Sequence, residues 1–215
     1  MGRCDTVLLD LDGTLLDTLE DLADSLNHVL RKYGCPECPV GDVRRFVGRG
    51  LRNLMAQALE GGETHPRFEE MFAEFRPYYT AHCQDKTRPY PGIPELLAAL
   101  QQRGYRAAVV SNKSETAARA LIGKYFSLPT VGQRDGMRPK PEPDMLDEAL
   151  RILGSSRDRA VCVGDSEVDF AMAGKAGLPC ILVTWGLRDR DTLEALHPAA
   201  LADTPDAVLE KLETL

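Results

Sequence analysis

Apolar residues in this chain recur with two different periods, and the change of period divides it. Short continuous runs of β-branched and aliphatic residues occur at Thr6 to Asp10 (TVLLD), Ala107 to Val110, Pro129 to Val131, Ala160 to Val163 and Ile181 to Thr184. Runs of this length with little polar alternation suit strands covered on both faces of a parallel sheet. Helical stretches separate them: Pro94 to Leu100 ends near Arg103-Gly104, and Ser114-Glu115-Thr116-Ala117 opens another helix behind a serine. Strand and crossover helix in repetition predict an α/β fold with a doubly wound, Rossmann-like parallel sheet.

Between Asp17 and Lys86 the helical period holds instead. Leu19, Leu22, Ala23, Leu26, Val29 and Leu30 form one stripe, and Leu51, Leu54, Met55, Ala58 and Leu59 a second. Phe68, Met71, Phe72, Phe75 and Tyr79 form a third. That is more helix than one crossover needs. The expectation is a helical cap domain, residues 17–86, inserted into an α/β core of residues 1–16 and 87–215. The stretch Thr87 to Gly92, with two prolines and a glycine, marks the chain's return, and hinges are expected near Leu16 and Arg88.

The first strand does something costly where it ends. DLDGT, residues 10–14, places Asp10 and Asp12 beyond an apolar run, and residues two apart on a strand project to one side. A second strand ends the same way, in Gly164-Asp165-Ser166-Glu167-Val168-Asp169. Carboxylates brought close together repel unless a proton or cation sits between them. An all-oxygen set suits a hard ion, and Mg²⁺ in particular, at the sheet edge where open α/β folds bind ligands. Taken singly, Asp165 or Asp17 reads equally well as a helix or turn cap; two such clusters favour a metal. Complementary groups are present. Val109-Val110-Ser111-Asn112-Lys113 closes a strand with hydrogen-bond donors ahead of a helix, and Lys140 stands among Pro139, Pro141 and Pro143, which stiffen its loop.

With these four segments in order, the chain resembles phosphatases of the haloacid dehalogenase superfamily: DLDGT, Ser111, Lys140 and GDSEVD follow that family's four motifs. DLDGTLLDT, YPGIPELL and the VGRGLRNLM stretch at Val47 to Met55 make it most similar to phosphoglycolate phosphatases within the family. The resemblance implies that Asp10 is the nucleophile and forms an aspartyl-phosphate, and that Asp12 is general acid and then base, crowding among acids favouring the proton it must hold. It also implies Mg²⁺ on Asp10, the Asp12 carbonyl and Asp165, with Asp169 direct or one step removed. Ser111, Asn112 and Lys140 would bind the phosphoryl group, and the inserted helices would cover the site. Arg49, between two glycines of the cap, is a candidate specificity residue, and equally a plain helix start. An acid at position 12 points to phosphate esters rather than to dehalogenation or phosphonate cleavage. The nearest rivals are a β-phosphoglucomutase-like transferase and a phosphatase for another small metabolite or for pyrophosphate. A receiver domain or a non-catalytic binding protein on the same fold explains less of the pattern.

Composition narrows the partners. A net charge of −7 offers no broad basic surface for nucleic acid, though a small phosphorylated metabolite still fits a local basic pocket. No run approaches the ~20 apolar residues of a membrane helix, nor does the N-terminus carry a secretory pattern, so a cytoplasmic monomer or homodimer is expected. The six cysteines are scattered, which is no disulfide framework. Cys35-Pro36-Glu37-Cys38 alone is a weak zinc signal, even with His82 and Cys83 as conceivable partners, and reduced thiols are expected.

Overall fold

A computed structural model describes residues 4–215. The chain opens with β1 (Thr6–Leu9) and the short β2 (Leu16–Asp17). Helices α1 (Leu19–Lys32), α2 (Val40–Phe46), α3 (Leu51–Ala58) and α4 (Phe68–His82) follow, then β3 (Arg88–Pro89) and α5 (Ile93–Gln102). Next come β4 (Arg106–Ser114), α6 (Glu115–Tyr125), β5 (Thr130–Gln133), α7 (Asp144–Leu153), β6 (Ala160–Gly164) and α8 (Glu167–Ala176). The chain closes with β7 (Cys180–Val183), α9 (Arg190–Glu194), β8 (Ala200–Ala202) and α10 (Pro205–Leu212).

Six strands form one sheet in the order β5-β4-β1-β6-β7-β8, every pair parallel. The first strand therefore lies at the centre, buried along its whole length. Its alternate residues point to opposite faces. Val7 and Leu9 join Val109, Val161, Val163, Ile181 and Val183 on one side. Leu8 joins Ala108, Val110, Cys162, Cys180 and Leu182 on the other, under α7 and α8. Each such aliphatic side chain contributes roughly 1.5–3 kcal/mol on burial, which is why an uninterrupted apolar run is needed here. The first of these clusters continues into the inserted helices through Leu22, Leu26, Met55 and Phe75.

Register sets where the chemistry falls. Leu9 is level with Val109 of β4 and with Val163 of β6. Asp10, Ser111 and Asp165, one or two residues further along their chains, consequently emerge at a single edge. The chain leaves this edge and returns to it through the antiparallel pair β2 and β3, where Leu16 faces Pro89 and Asp17 faces Arg88. Asp21, buried in the first turn of α1, accepts hydrogen bonds from the backbone N–H groups of Lys86 and Thr87 at 3.0 and 2.9 Å and so ties the two crossings together.

Two elements carry too little apolar signal to be anticipated. The strand β8 is only Ala-Leu-Ala, and α2 buries Val43 alone, leaving no stripe to detect. The strand β4 also outruns its expected end at Val110, continuing through Ser111 to Ser114 with a register shift against β5. The cysteines are free thiols, and among the described residues neither Cys35 nor Cys38 belongs to a group of metal-ligating side chains. Among the described residues no helix is long and apolar enough to cross a membrane.

Candidate active site

Asp10 follows β1 directly, Asp165 follows β6, and Asp169 lies in the first turn of α8, where an acid favours the helix dipole. One carboxylate oxygen from each lies within 4.8 Å of the others. The Lys140 ammonium bridges two of them, 2.7 Å from Asp10 Oδ1 and 2.7 Å from Asp169 Oδ1. Two more of their oxygens are oriented by donors: Ser166 Oγ donates to Asp169 Oδ2 at 2.6 Å, and the Leu187 N–H to Asp165 Oδ2 at 2.7 Å. Two glycines make room for them. A Cβ on Gly164 would overlap the Asp169 side chain, and one on Gly186 would overlap Asp165 and the Gly13 carbonyl.

Electrostatics show what this cluster lacks. Burial and then repulsion from Asp169 push the Asp10 carboxyl up to about 7 against the pull of Lys140. Burial, then Asp10 and Asp169, move Asp165 upward as well. Burial alone would lower the Lys140 ammonium, but Asp10 and Asp169 more than reverse this, so it stays charged. Three carboxylates thus face one buried cation, and an all-oxygen donor set short of positive charge is what a hard divalent ion fits.

Asp12 lines the same cavity as Asp10 but is held by different partners. The Thr18 hydroxyl donates to its Oδ1 at 2.6 Å, and Lys113 Nζ lies 3.0 Å from the same oxygen. Asp12 is a like-charge neighbour of Asp10, while the groups that hold its side chain are a hydroxyl and a cation. The Lys113 side chain is 2% exposed, and its ammonium also donates to the hydroxyl of Tyr79, a fully buried residue of α4. Sequence reasoning gave Lys113 no role. The signal was available, since Lys113 follows Ser111 by two on a strand.

Ser111 is buried, and its Oγ accepts from the Lys113 N–H at 3.2 Å. Asn112 braces two loops. Its side chain clamps the Lys140 backbone from both sides, accepting from the Lys140 N–H at 2.7 Å and donating to the Lys140 carbonyl at 3.1 Å. It donates also to the Gly48 carbonyl of the inserted segment at 2.8 Å. Its side chain therefore positions loops, and any contact with an anion falls to its main chain. Arg49 lies outside the cavity. Its side chain is 57% exposed, with its nearest acid, Glu167, 3.8 Å away.

That cavity has a volume of about 30 Å³, room for roughly two water molecules. Asp10, Asp12, Ser111, Asn112 and Lys113 form its core side, and Leu22, Leu51 and Leu54 its apolar opposite side. Lys140 and the two far acids lie behind Asp10. Arg188 fastens the inserted segment over this space, donating to the Val47 and Arg44 carbonyls at 2.9 and 3.2 Å and pairing with Glu167 at 2.8 Å.

Comparison with known proteins agrees with this arrangement. The family model for haloacid dehalogenase-like hydrolases matches residues 7–183, and the chain belongs to that family. The phosphoglycolate phosphatase of Mesorhizobium japonicum is 36% identical over 218 residues, spanning 96% of this chain and 93% of that one. The phosphoglycolate phosphatase of Aquifex aeolicus is 35% identical over 84% of each. Among solved structures, a protein of Lactobacillus delbrueckii subsp. bulgaricus, provisionally classed as a phosphoglycolate phosphatase, superposes with a TM-score of 0.92 at 31% identity over the full length of both chains. The class is thereby fixed: an α/β hydrolase of phosphate monoesters with a parallel-sheet core.

Proposed function

We propose that the chain is a Mg²⁺-dependent phosphatase that hydrolyses a small, phosphoglycolate-like phosphate monoester through an aspartyl-phosphate on Asp10. One observation carries the reading: the Asp10 carboxylate is held from behind by Lys140, with Asp165 and Asp169 beside it, while it also lines the cavity. A nucleophile needs that combination of a fixed position and an open approach.

In the first step a carboxylate oxygen of Asp10 attacks phosphorus, the P–O bond to the alcohol breaks, and Asp12 gives its proton to the departing oxygen. In the second, Asp12 takes a proton from water, whose oxygen attacks phosphorus and releases Asp10 and inorganic phosphate. Thr18 and Lys113 fix the Asp12 side chain for both transfers. Lys140 holds Asp10 in place and favours its ionised form against burial and Asp169, and Ser111, with main-chain N–H groups near Leu11 and Asn112, offers donors to the transferring oxygens. Asp10, Asp165, Asp169 and the Asp12 carbonyl are the groups that would hold Mg²⁺, which when bound neutralises phosphoryl charge. Residues 17–86 act as the cap, closing over the site from the β2–β3 crossing and excluding bulk water.

The test is a panel of small phosphate monoesters, 2-phosphoglycolate included, assayed with Mg²⁺ varied. Turnover that requires Mg²⁺ and favours 2-phosphoglycolate is expected; equal turnover in chelator would refute the reading.

A further inference from the structure

Any charge that a leaving group meets inside the cavity comes from the core, because the opposite wall offers only apolar side chains and glycines. Among the described residues, Lys113 is the one cationic side chain on that wall. It is no mobile surface lysine. It sits at the end of β4, 2% exposed, with its Nζ 4.6 Å from the centre of the Tyr79 ring. An ammonium has three N–H donors. One faces Asp12 at 3.0 Å and one the Tyr79 hydroxyl, and both partners are themselves held, Asp12 by Thr18 and Tyr79 by complete burial. Among the described residues the third has no protein acceptor, and Lys113 lines the cavity.

We propose that Lys113 selects the leaving group, its third N–H binding a carboxylate on the alcohol half of the substrate. The inference rests on the phosphate-monoester reading above and adds the chemistry that distinguishes one monoester from another. Asp10 and Lys113 wall the same small cavity, so the spacer between phosphoryl and carboxylate ends is short. A neutral leaving group places no charged acceptor opposite that donor, and a buried site built to bond a polar group discriminates strongly against a ligand that lacks it. Arg49, pointing to Glu167 at the rim, takes no part in this selection.

The experiment compares kcat/KM for 2-phosphoglycolate and for 2-hydroxyethyl phosphate, in which a hydroxymethyl group replaces the carboxylate. Wild type, Lys113→Met, Lys113→Gln and Arg49→Ala are each assayed. Lys113→Met should lose about tenfold or more beyond its loss on the neutral ester, chiefly through KM, while Arg49→Ala keeps the wild-type ratio. Lys113→Gln repeats the test should the Met variant fail to fold. Without any substitution, glycolate should compete with a generic aryl phosphate at concentrations where ethylene glycol does not. Equal losses on both esters would mean that Lys113 only holds Asp12, and would overturn the inference while leaving the phosphatase reading intact. A shift of the ratio by Arg49→Ala alone would overturn it too. A wild type with no preference between the esters would instead refute the phosphoglycolate-like reading and the inference with it.

Discussion

Replacing Lys140 by methionine removes a buried charge while keeping the volume of the stem. Its ammonium lies 2.7 Å from both Asp10 and Asp169, with the Lys140 and Asp169 side chains each 3% exposed. At that separation and an effective dielectric constant of about 20, each attraction is worth roughly 6 kcal/mol before desolvation is charged against it. Breaking a buried pair by deleting one partner costs about 3–5 kcal/mol, because the acids left behind are buried and uncompensated. In a chain of this length that corresponds to a fall in Tm of about 10 °C. Thermal unfolding near neutral pH in chelator measures it directly, and added Mg²⁺ should narrow the gap by supplying the missing charge. The variant should also lose about 10³-fold in turnover, since Asp10 is no longer held. A metal-free variant melting within about 2 °C of wild type would show that Lys140 does not balance these carboxylates, and would refute the reasoning.

Two further predictions follow from the same cluster. Asp10 is raised from 3.8 to about 7 and Asp165 moves the same way, so between about pH 4 and 7 the folded metal-free protein binds more protons than the unfolded chain and loses stability as pH rises. Mg²⁺ must displace a proton in that window, so its affinity by calorimetry should climb about tenfold per pH unit and level off above 7; a flat profile would contradict this. Gly186→Ala drives a methyl group into Asp165 and should weaken Mg²⁺ about 10–100-fold, whereas an unchanged affinity would mean that the Asp165 position is not set by this contact.

Much of the site was legible in the sequence because its parts stand at ends of strands. An apolar run that stops at an acid is a statement about burial, and β1 and β6 each make it, with register alone bringing Asp10 and Asp165 to one level. Lys140 was legible through the family resemblance, since a lysine bracketed by prolines reads by itself as a surface residue. What escaped depends on contacts between distant segments. Nothing local in Asn112 says that its amide clamps a loop 28 residues away, or in Arg188 that it caps the end of α2 from the core. Lys113 was within reach by strand periodicity, but its pairing with Asp12 and Tyr79 requires knowing that Tyr79 of α4 reaches the end of β4. A charge between glycines, as at Arg49, says locally only that it is exposed, and its side chain is 57% exposed. The missed elements β8 and α2 share a cause: three small residues, or one buried valine, leave no period to read.

Transfer of the phosphoryl group to Asp10 is the central step of the proposed reaction. Rapid acid quench during turnover of 2-phosphoglycolate, followed by peptide mass spectrometry, should find one phosphoryl group on the peptide that contains Asp10, and none in Asp10→Asn. Full turnover with that peptide unmodified, or a phosphoryl group retained at another residue in Asp10→Asn, would contradict it.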